Sequence, residues 1–272
     1  MQGRLSKPVN GRIQAFPWQT WRDEFKLARL CGFDSIEFIF ESKNYENNPL
    51  YCDDGLQEIE RLSRKNGVEV KIVCADYFME RPLIRVSGHE QKKGVEVLKH
   101  LIKQCGKIGI ELVELPLVDN SEIKTHEEMQ EIVKCIKQCL PIAEKCNIQI
   151  GLETTLPPKT FLSFIRQFGH PLIKANYDVG NSASLGYDSR EEILTLGDII
   201  ANIHIKDRIS GGGTVSLGTG DVDFDKFFSA LKKINYQGPF IIQAARGDDD
   251  VKTAKDYLRF IKKYTNKYLD MD

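Results

Sequence analysis

Short apolar runs alternate with longer amphipathic stretches along the whole chain of 272 residues. The short runs are rich in β-branched residues and are bounded by turn formers, which is typical of parallel strands covered on both faces. Several of the longer stretches end at a glycine just before the next run, as helices do when the chain returns to a parallel sheet. Seven strands are therefore predicted, at residues 35–40, 68–74, 112–115, 148–153, 174–178, 199–205 and 239–244.

The amphipathic stretches predict eight helices, and the segment Met1–Leu5 is predicted to be the missing first strand. This α/β count favours a closed (β/α)₈ TIM barrel that forms a single domain over residues 1–272. An open doubly wound sheet is the alternative, but no G-x-G-x-x-G turn follows the first predicted strand. The helices are predicted at residues 19–30, 54–65, 90–107, 127–144, 158–168, 190–195, 224–233 and 250–264.

Composition narrows the classes of partner. The chain has 38 Lys and Arg residues against 39 Asp and Glu, so no basic excess points to nucleic acid or to a membrane surface. No apolar run approaches the roughly 20 residues that cross a bilayer, and residues 1–6 contain no hydrophobic signal core. The seven cysteines are scattered, which is typical of reduced packing thiols. We therefore expect a soluble, cytoplasmic protein, with a homodimer as the alternative to a monomer.

Polar side chains follow four consecutive predicted strands, where the carboxyl ends of barrel strands form the active-site mouth. Glu153, Asp178 and His204 are 25 and 26 residues apart, which is one β/α unit each, so they can converge from adjacent strands. Two carboxylates and one imidazole suit a single divalent metal ion, Mn²⁺ first, with Mg²⁺, Co²⁺ or Zn²⁺ as alternatives. Gln243, at the end of the last strand, adds a neutral oxygen to the predicted ligands.

Four cationic residues near the predicted mouth are candidates for recognising a substrate phosphate or carboxylate: Arg4, Lys206, Arg208 and Arg246. The backbone of Ser210–Gly213 is a further candidate, because a glycine run lets N–H groups approach an anion closely. The alternatives are that these glycines form a mobile loop and that Arg208 pairs with Asp207.

The sequence resembles the xylose isomerase-like TIM-barrel superfamily, and within it the sugar phosphate isomerase/epimerase group. That group includes pentulose-phosphate 3-epimerases and hexulose-phosphate isomerases. The motifs that carry the resemblance lie at the N-terminal segment, at the ends of the sixth and seventh strands when that segment counts as the first, and in the loop after the seventh: Met1–Ser6, Tyr177–Asn181, His204–Arg208 and Leu217–Phe224.

The resemblance implies a metal held by Glu, Asp, His and a second Glu, and it carries the first three onto Glu153, Asp178 and His204. The fourth position is Gln243, which departs from the family pattern. In the epimerases the two glutamates also act as the acid–base pair on either face of the substrate carbon. An amide has no such proton-transfer role near neutral pH, because it does not ionise.

The implied function is a metal-dependent sugar or sugar-phosphate isomerase or epimerase in carbohydrate metabolism, with a small-molecule substrate. Glu153 is the expected base, abstracting a proton next to a carbonyl to give a metal-stabilised enediolate. An inosose-type dehydratase is one alternative, and a catalytically impaired metal- and sugar-binding homologue, caused by Gln243, is another. Glu114 is a substitute acid only if it faces the mouth; we expect it to point towards the helices or to bind a neighbour.

Overall fold

Alternating strands and helices build a nearly closed parallel barrel in the computed structural model, which describes residues 1–269. The predicted single-domain TIM barrel is confirmed, although the predicted boundary at residue 272 lies outside the described residues. Seven parallel strands follow the order β1-β2-β3-β4-β5-β6-β9 within residues 1–269, and β7 and β8 form a small hairpin on the loop after β6. The strands are β1 Ser35–Ile39, β2 Glu69–Cys74, β3 Leu112–Leu117, β4 Gln149–Thr154, β5 Ile173–Asp178, β6 Ile200–Ile205, β7 Asp207–Arg208, β8 Thr214–Val215 and β9 Phe240–Ile242.

Helices connect successive strands and cover the outside of the barrel. None of those in residues 1–269 combines the length and the apolar character that a membrane crossing needs. The helices are α1 Trp21–Cys31, α2 Asp53–Asn66, α3 Tyr77–Glu80, α4 Gly88–Cys105, α5 His126–Lys137, α6 Leu140–Cys146, α7 Pro158–Arg166, α8 Val179–Ser184, α9 Ser189–Leu196, α10 Phe224–Lys233 and α11 Asp250–Tyr268.

The helix predicted at residues 127–144 is two helices, α5 and α6. The break falls just before Pro141, which occupies the first turn of α6. Proline has no N–H to donate and its ring clashes with the carbonyl four residues earlier, so α5 cannot continue through it. The short helices α3 and α8 were not predicted, because each is only four to six residues long.

The N-terminal segment fills the gap between β9 and β1, where the first barrel strand was predicted. Glu37 N donates to Met1 O at 2.9 Å, and Gln2 N donates to Ile242 O at 3.4 Å. The prediction that Met1–Leu5 is a regular strand is nevertheless wrong, since the segment forms one isolated bridge, between Gln2 and Glu37. Gly3 turns the chain with a φ of +49°, a left-handed conformation that interrupts the extended backbone.

Arg4 fastens this segment to the last strand. Its buried guanidinium donates to Ala244 O at 2.8 Å, to Gln2 O at 3.0 Å and to Gln2 Oε1 at 2.8 Å. A fourth, longer hydrogen bond of 3.5 Å reaches Gln14 Oε1. Every nitrogen of the group therefore has an acceptor, and Arg4 is a structural fastener of the barrel seam.

The barrel interior changes from apolar to polar along the strand direction. Ile72, Leu112 and Ile241 form an apolar floor near the amino ends of the strands. Side chains two residues apart on a strand face the same side, so Glu114 and Gln243 point into the barrel above Leu112 and Ile241. Acidic and amide groups thus occupy the interior from the next layer of side chains up to the mouth.

Replacing Arg4 by Ala is expected to lower the free energy of unfolding by about 3 kcal/mol, because buried carbonyl groups lose their donor. Urea unfolding followed by circular dichroism measures the change. Arg29→Ala, at an exposed position of α1, is the control and should leave the unfolding midpoint nearly unchanged. An Arg4→Ala protein as stable as the wild type would contradict the fastening role.

Candidate metal and catalytic site

Three buried side chains at the ends of β4, β5 and β6 converge on one point. Ligand atoms of Glu153, Asp178 and His204 all lie within 4.8 Å of one another. His204 Nδ1 is 3.2 Å from Glu153 Oε2 and 3.9 Å from Asp178 Oδ2. The structure therefore brings together the three side chains that the strand-end pattern singled out.

Neighbouring polar groups fix the orientation of both carboxylates. Asn176 Nδ2 and Asn181 Nδ2 donate to the two oxygens of Glu153, at 2.9 and 2.7 Å. Asp178 caps α8 by accepting from Asn181 N at 2.9 Å, and its other oxygen accepts from Lys206 Nζ at 2.6 Å. The donors that hold the two carboxylates thus come from β5, from α8 and from Lys206 just after β6.

Glu37 orients the imidazole of His204 from the opposite side of the barrel. His204 Nε2 donates to Glu37 Oε1 at 3.1 Å, and both side chains are fully buried. This contact leaves Nδ1 as the ring atom that faces the other two ligands. Sequence reasoning missed Glu37, although a lone acid inside the apolar run at residues 35–40 is a signal that could have found it.

The charges within the cluster shift the pKa values of Glu153 and His204. Burial alone would raise the pKa of Glu153, but the hydrogen bond and charge of His204, together with Lys206, lower that pKa below its ordinary value. Burial likewise opposes charge on His204, yet Glu37 and Glu153 outweigh it and raise its pKa well above the usual range. Glu153 is therefore ionised, as a proton-abstracting group must be.

Glu114 lies deeper than the three convergent side chains. It pairs across the sheet with Gly151, two residues before Glu153, and is completely buried. The expectation that it points towards the helices is wrong, because it shares the interior face of β3 with Leu112. Burial, followed by the charge of Glu153, raises its pKa well above the ordinary value, so Glu114 is a neutral acid beneath the site.

Gln243 follows β9 and is also buried, with 3% of its surface exposed. Its backbone N donates to Ile205 O at 2.9 Å, which holds it beside the end of β6. The side chain lines the same cavity as Glu153. The amide thus faces the mouth from the position where the family pattern has a carboxylate.

The mouth opens into a cavity of about 810 Å³. Glu153, Lys206 and Arg208 line one part of its wall, and Arg12, Glu41 and Asp76 line another. The cavity is therefore mixed in charge, with carboxylates and cations around one polar interior.

Two of the four predicted cations reach this cavity. Lys206 pairs with Asp178, and Arg208 donates to Asn181 Oδ1 at 2.9 Å and to Gly212 O at 2.7 Å. Arg208 therefore pairs with neighbours other than Asp207, contrary to that alternative.

Arg4 and Arg246 lie elsewhere, against a separate small cleft. Arg246 donates to the carbonyls of Gly3, Ser6 and Ile13 at 2.8, 2.6 and 3.0 Å, and it pairs with Asp250 at 3.3 Å. Like Arg4, it donates its hydrogen bonds to groups at the seam of the barrel. The structure therefore does not bring either arginine to the mouth.

The glycine run after β7 already uses most of its donors. Ser210 N donates to Asp221 Oδ2 at 2.6 Å, Gly211 N to Ser184 O at 2.9 Å and Gly212 N to Ile209 O at 2.7 Å. These N–H groups have protein acceptors, which argues against the predicted backbone cradle for an anion.

A buried aspartate, which sequence reasoning had treated only as a pairing partner of Arg208, holds the next loop. Asp207 accepts from the backbone N–H groups of Gly218, Gly220 and Val222 at 2.8, 3.0 and 3.2 Å. A Cβ at Gly220 would collide with Asp207 Oδ1. This contact explains why the Leu217–Phe224 motif contains a glycine at that position.

The fold and this site together define a TIM barrel with a carboxylate and histidine cluster at the mouth. The profile of the xylose isomerase-like TIM barrel family matches residues 25–264. The chain belongs to that family.

Relatives of similar length are named as sugar-phosphate epimerases. The chain is 24% identical over 238 residues to L-ribulose-5-phosphate 3-epimerase of Shigella flexneri serotype 5b, covering 83% of this chain and 82% of the relative. It is 27% identical over 241 residues to a putative L-ribulose-5-phosphate 3-epimerase of Haemophilus influenzae, with coverages of 82% and 83%.

Solved structures share the fold at lower sequence identity. A xylose isomerase domain protein from Planctomyces limnophilus superposes with a TM-score of 0.76 at 18% identity, covering 91% of this chain and 93% of that protein. The IOLI protein, solved with a bound zinc atom, superposes with a TM-score of 0.72 at 18% identity, with 92% of each chain covered.

Replacing Glu37 by Gln is expected to weaken binding of Mn²⁺ or Zn²⁺ by roughly 10- to 100-fold, because the imidazole loses the charged partner that orients it. Calorimetric titration of the metal-free protein measures the affinity. Glu41→Gln changes another buried glutamate just beyond β1 and should keep the wild-type affinity. Equal metal affinity in Glu37→Gln and the wild type would rule out the orienting role.

Proposed function

We propose that the protein is a divalent-metal-dependent epimerase or isomerase of sugars or sugar phosphates. The observation that carries the proposal is the convergence of Glu153, Asp178 and His204, of which Glu153 lines the open cavity at the mouth of the barrel. The names of the relatives in the same family support the class of substrate.

The donor set fits a divalent ion. Two carboxylates and one imidazole nitrogen form a ligand set that is rich in oxygen. Mn²⁺, Mg²⁺, Co²⁺ and Zn²⁺ all bind such a set, and Mn²⁺ is our first choice. Glu153, Asp178 and His204 would hold the ion, with the amide oxygen of Gln243 as the fourth ligand. When bound, the ion supplies a Lewis acid that stabilises negative charge on a substrate carbonyl oxygen.

The side chains divide the remaining work. Glu153 is ionised and reaches the cavity, so it takes the proton from the carbon next to the carbonyl, giving an enediolate. Asn176 and Asn181 hold this carboxylate in one orientation. The base is therefore already oriented before the proton is transferred. Lys206 and Arg208 present positive charge to a phosphate or to a hydroxyl oxygen of the substrate.

Gln243 favours a second candidate function. With an amide in place of the family's second glutamate, the protein is a catalytically impaired homologue that binds metal and sugar unless another acid serves. Loss of a β-hydroxyl from the same enediolate, as in an inosose-type dehydratase, needs a different product assay and is separated from epimerisation by NMR of the products.

We also propose that the enzyme is cytoplasmic. All seven cysteines are free thiols, six of the seven being at least partly buried, which agrees with a reducing compartment. The convergent cluster is complete within one chain, so a homodimer is not required to assemble it.

Glu153→Gln is expected to lower turnover by roughly 10²- to 10⁴-fold, because the amide cannot accept the proton. Elemental analysis should still find metal, since the amide oxygen remains a ligand. Turnover is measured in buffer containing Mn²⁺ with L-ribulose 5-phosphate, after which the relatives are named, and with D-tagatose and D-allulose, after which epimerases of the same fold are named. Asp119→Asn, at the exposed cavity rim, is the control; full activity of Glu153→Gln would exclude Glu153 as the base.

Gln243→Glu is expected to bind Mn²⁺ more tightly than the wild type, because a carboxylate adds negative charge to the ligand set. Competition with a fluorescent chelator measures the affinity. An inactive wild type together with an epimerising Gln243→Glu protein would support the impaired homologue. Unchanged metal affinity would show that residue 243 is not a ligand.

A further inference from the structure

Epimerisation requires two proton-transfer groups, one on each face of the same carbon. Glu153 provides one, and Gln243 cannot provide the other because an amide does not ionise. Within residues 1–269, five other carboxylates line the mouth cavity, and the second group is to be sought among them: Glu41, Asp76, Glu80, Asp119 and Glu122.

Four of these carboxylates are paired with a cation or are not fully buried. Glu41 and Glu80 both form ion pairs with Arg12, at 2.6 and 3.4 Å. Asp119 is exposed at the rim. Glu122 accepts from Thr155 Oγ1 at 2.9 Å and is only partly buried.

Asp76 differs from all of them. It follows β2 directly, is 5% exposed, and forms no ion pair within residues 1–269. Its partners are neutral: Gln14 Nε2 donates to both oxygens at 2.9 and 2.7 Å, and Cys74 Sγ donates at 3.3 Å. A buried carboxyl with neutral partners can exist in either protonation state.

The surrounding charges reinforce this. Burial raises the pKa of Asp76 to about 6, the two neutral donors oppose that rise, and the nearby charges of Glu37 and Glu80 add to it. Arg4 is the cation on this side, but its guanidinium is engaged by acceptors at the seam. Asp76 is therefore poised to change protonation near neutral pH.

We propose that Asp76 is the second proton-transfer group of this site and takes the part that Gln243 cannot. The inference rests on the proposed function, and the geometry behind it is a buried carboxyl with no direct ion pair among the described residues, which lines the same cavity as Glu153 and Gln243.

The proton balance closes with these two groups. Glu153 takes the proton from the carbon next to the carbonyl, and the C–H electron pair forms the carbon–carbon double bond of the enediolate. Protonated Asp76 then gives its proton to the opposite face of that carbon, and the carbonyl re-forms. Glu153 ends protonated and Asp76 ionised, and exchange with water restores both.

The test separates proton abstraction from inversion. Wild type, Asp76→Asn and the rim control Asp119→Asn are incubated in D₂O with Mn²⁺ and L-ribulose 5-phosphate, D-tagatose or D-allulose. Proton NMR follows loss of the C–H signal next to the carbonyl, and the same spectra follow formation of the epimer. Thermal unfolding checks that each variant is folded.

We expect Asp76→Asn to exchange the C–H proton within about threefold of the wild-type rate, because Glu153 is intact, and to epimerise at least 100-fold more slowly. Adding Gln243→Glu to Asp76→Asn should restore epimerisation. Carboxyl ¹³C NMR of the metal-free wild type should show an Asp76 pKa above the ordinary range.

Three results would overturn the inference. Asp76→Asn that still epimerises, or that loses exchange and epimerisation equally, excludes a separate proton-donor role while leaving the proposed function standing. An ordinary Asp76 pKa would remove the proton donor. A wild type that neither exchanges nor epimerises any of the three sugars refutes the proposed function itself, and the role of Asp76 with it.

Discussion

Acidic side chains inside the barrel have to be balanced locally, because an unpaired buried carboxylate is strongly unfavourable. His204 does most of this balancing by lying between Glu37 and Glu153. Lys206 balances Asp178, and Glu114 avoids the problem by keeping its proton. The arrangement of the site follows from this distribution of charge, since moving any one group leaves another without its partner.

The loops above these groups are held by close backbone contacts. Gly180 lies against Lys206, where a Cβ would come within 2.7 Å of the lysine Cβ, and Gly220 lies against Asp207. A larger residue at position 180 would push the segments after β5 and β6 apart, and one at position 220 would push its own loop away from Asp207. The glycines therefore keep Lys206 and Asp207 in register with the ends of their strands, and the cavity wall is formed before any ligand arrives.

The sequence predicted the barrel and the convergence of Glu153, Asp178 and His204, because strand periodicity and the spacing of β/α units are local properties of the chain. It did not predict Glu37 beside His204, since the two are 167 residues apart and meet only across the closed barrel. Asp76 was missed for a similar reason: its burial and its neutral partners depend on the loop that carries Gln14. Arg4 was assigned to the substrate because its charge is visible in the sequence, whereas its acceptors at the seam are not.

The fastening of Arg4 to Ala244 joins residues 240 positions apart. During synthesis the N-terminal segment leaves the ribosome long before its partner strand exists, and domains of this size generally fold through intermediates. The seam between them can therefore close only after both segments, 240 positions apart, have been synthesised. Closure of the barrel at this seam thus waits for the segment around Ala244, however early the preceding strands pair.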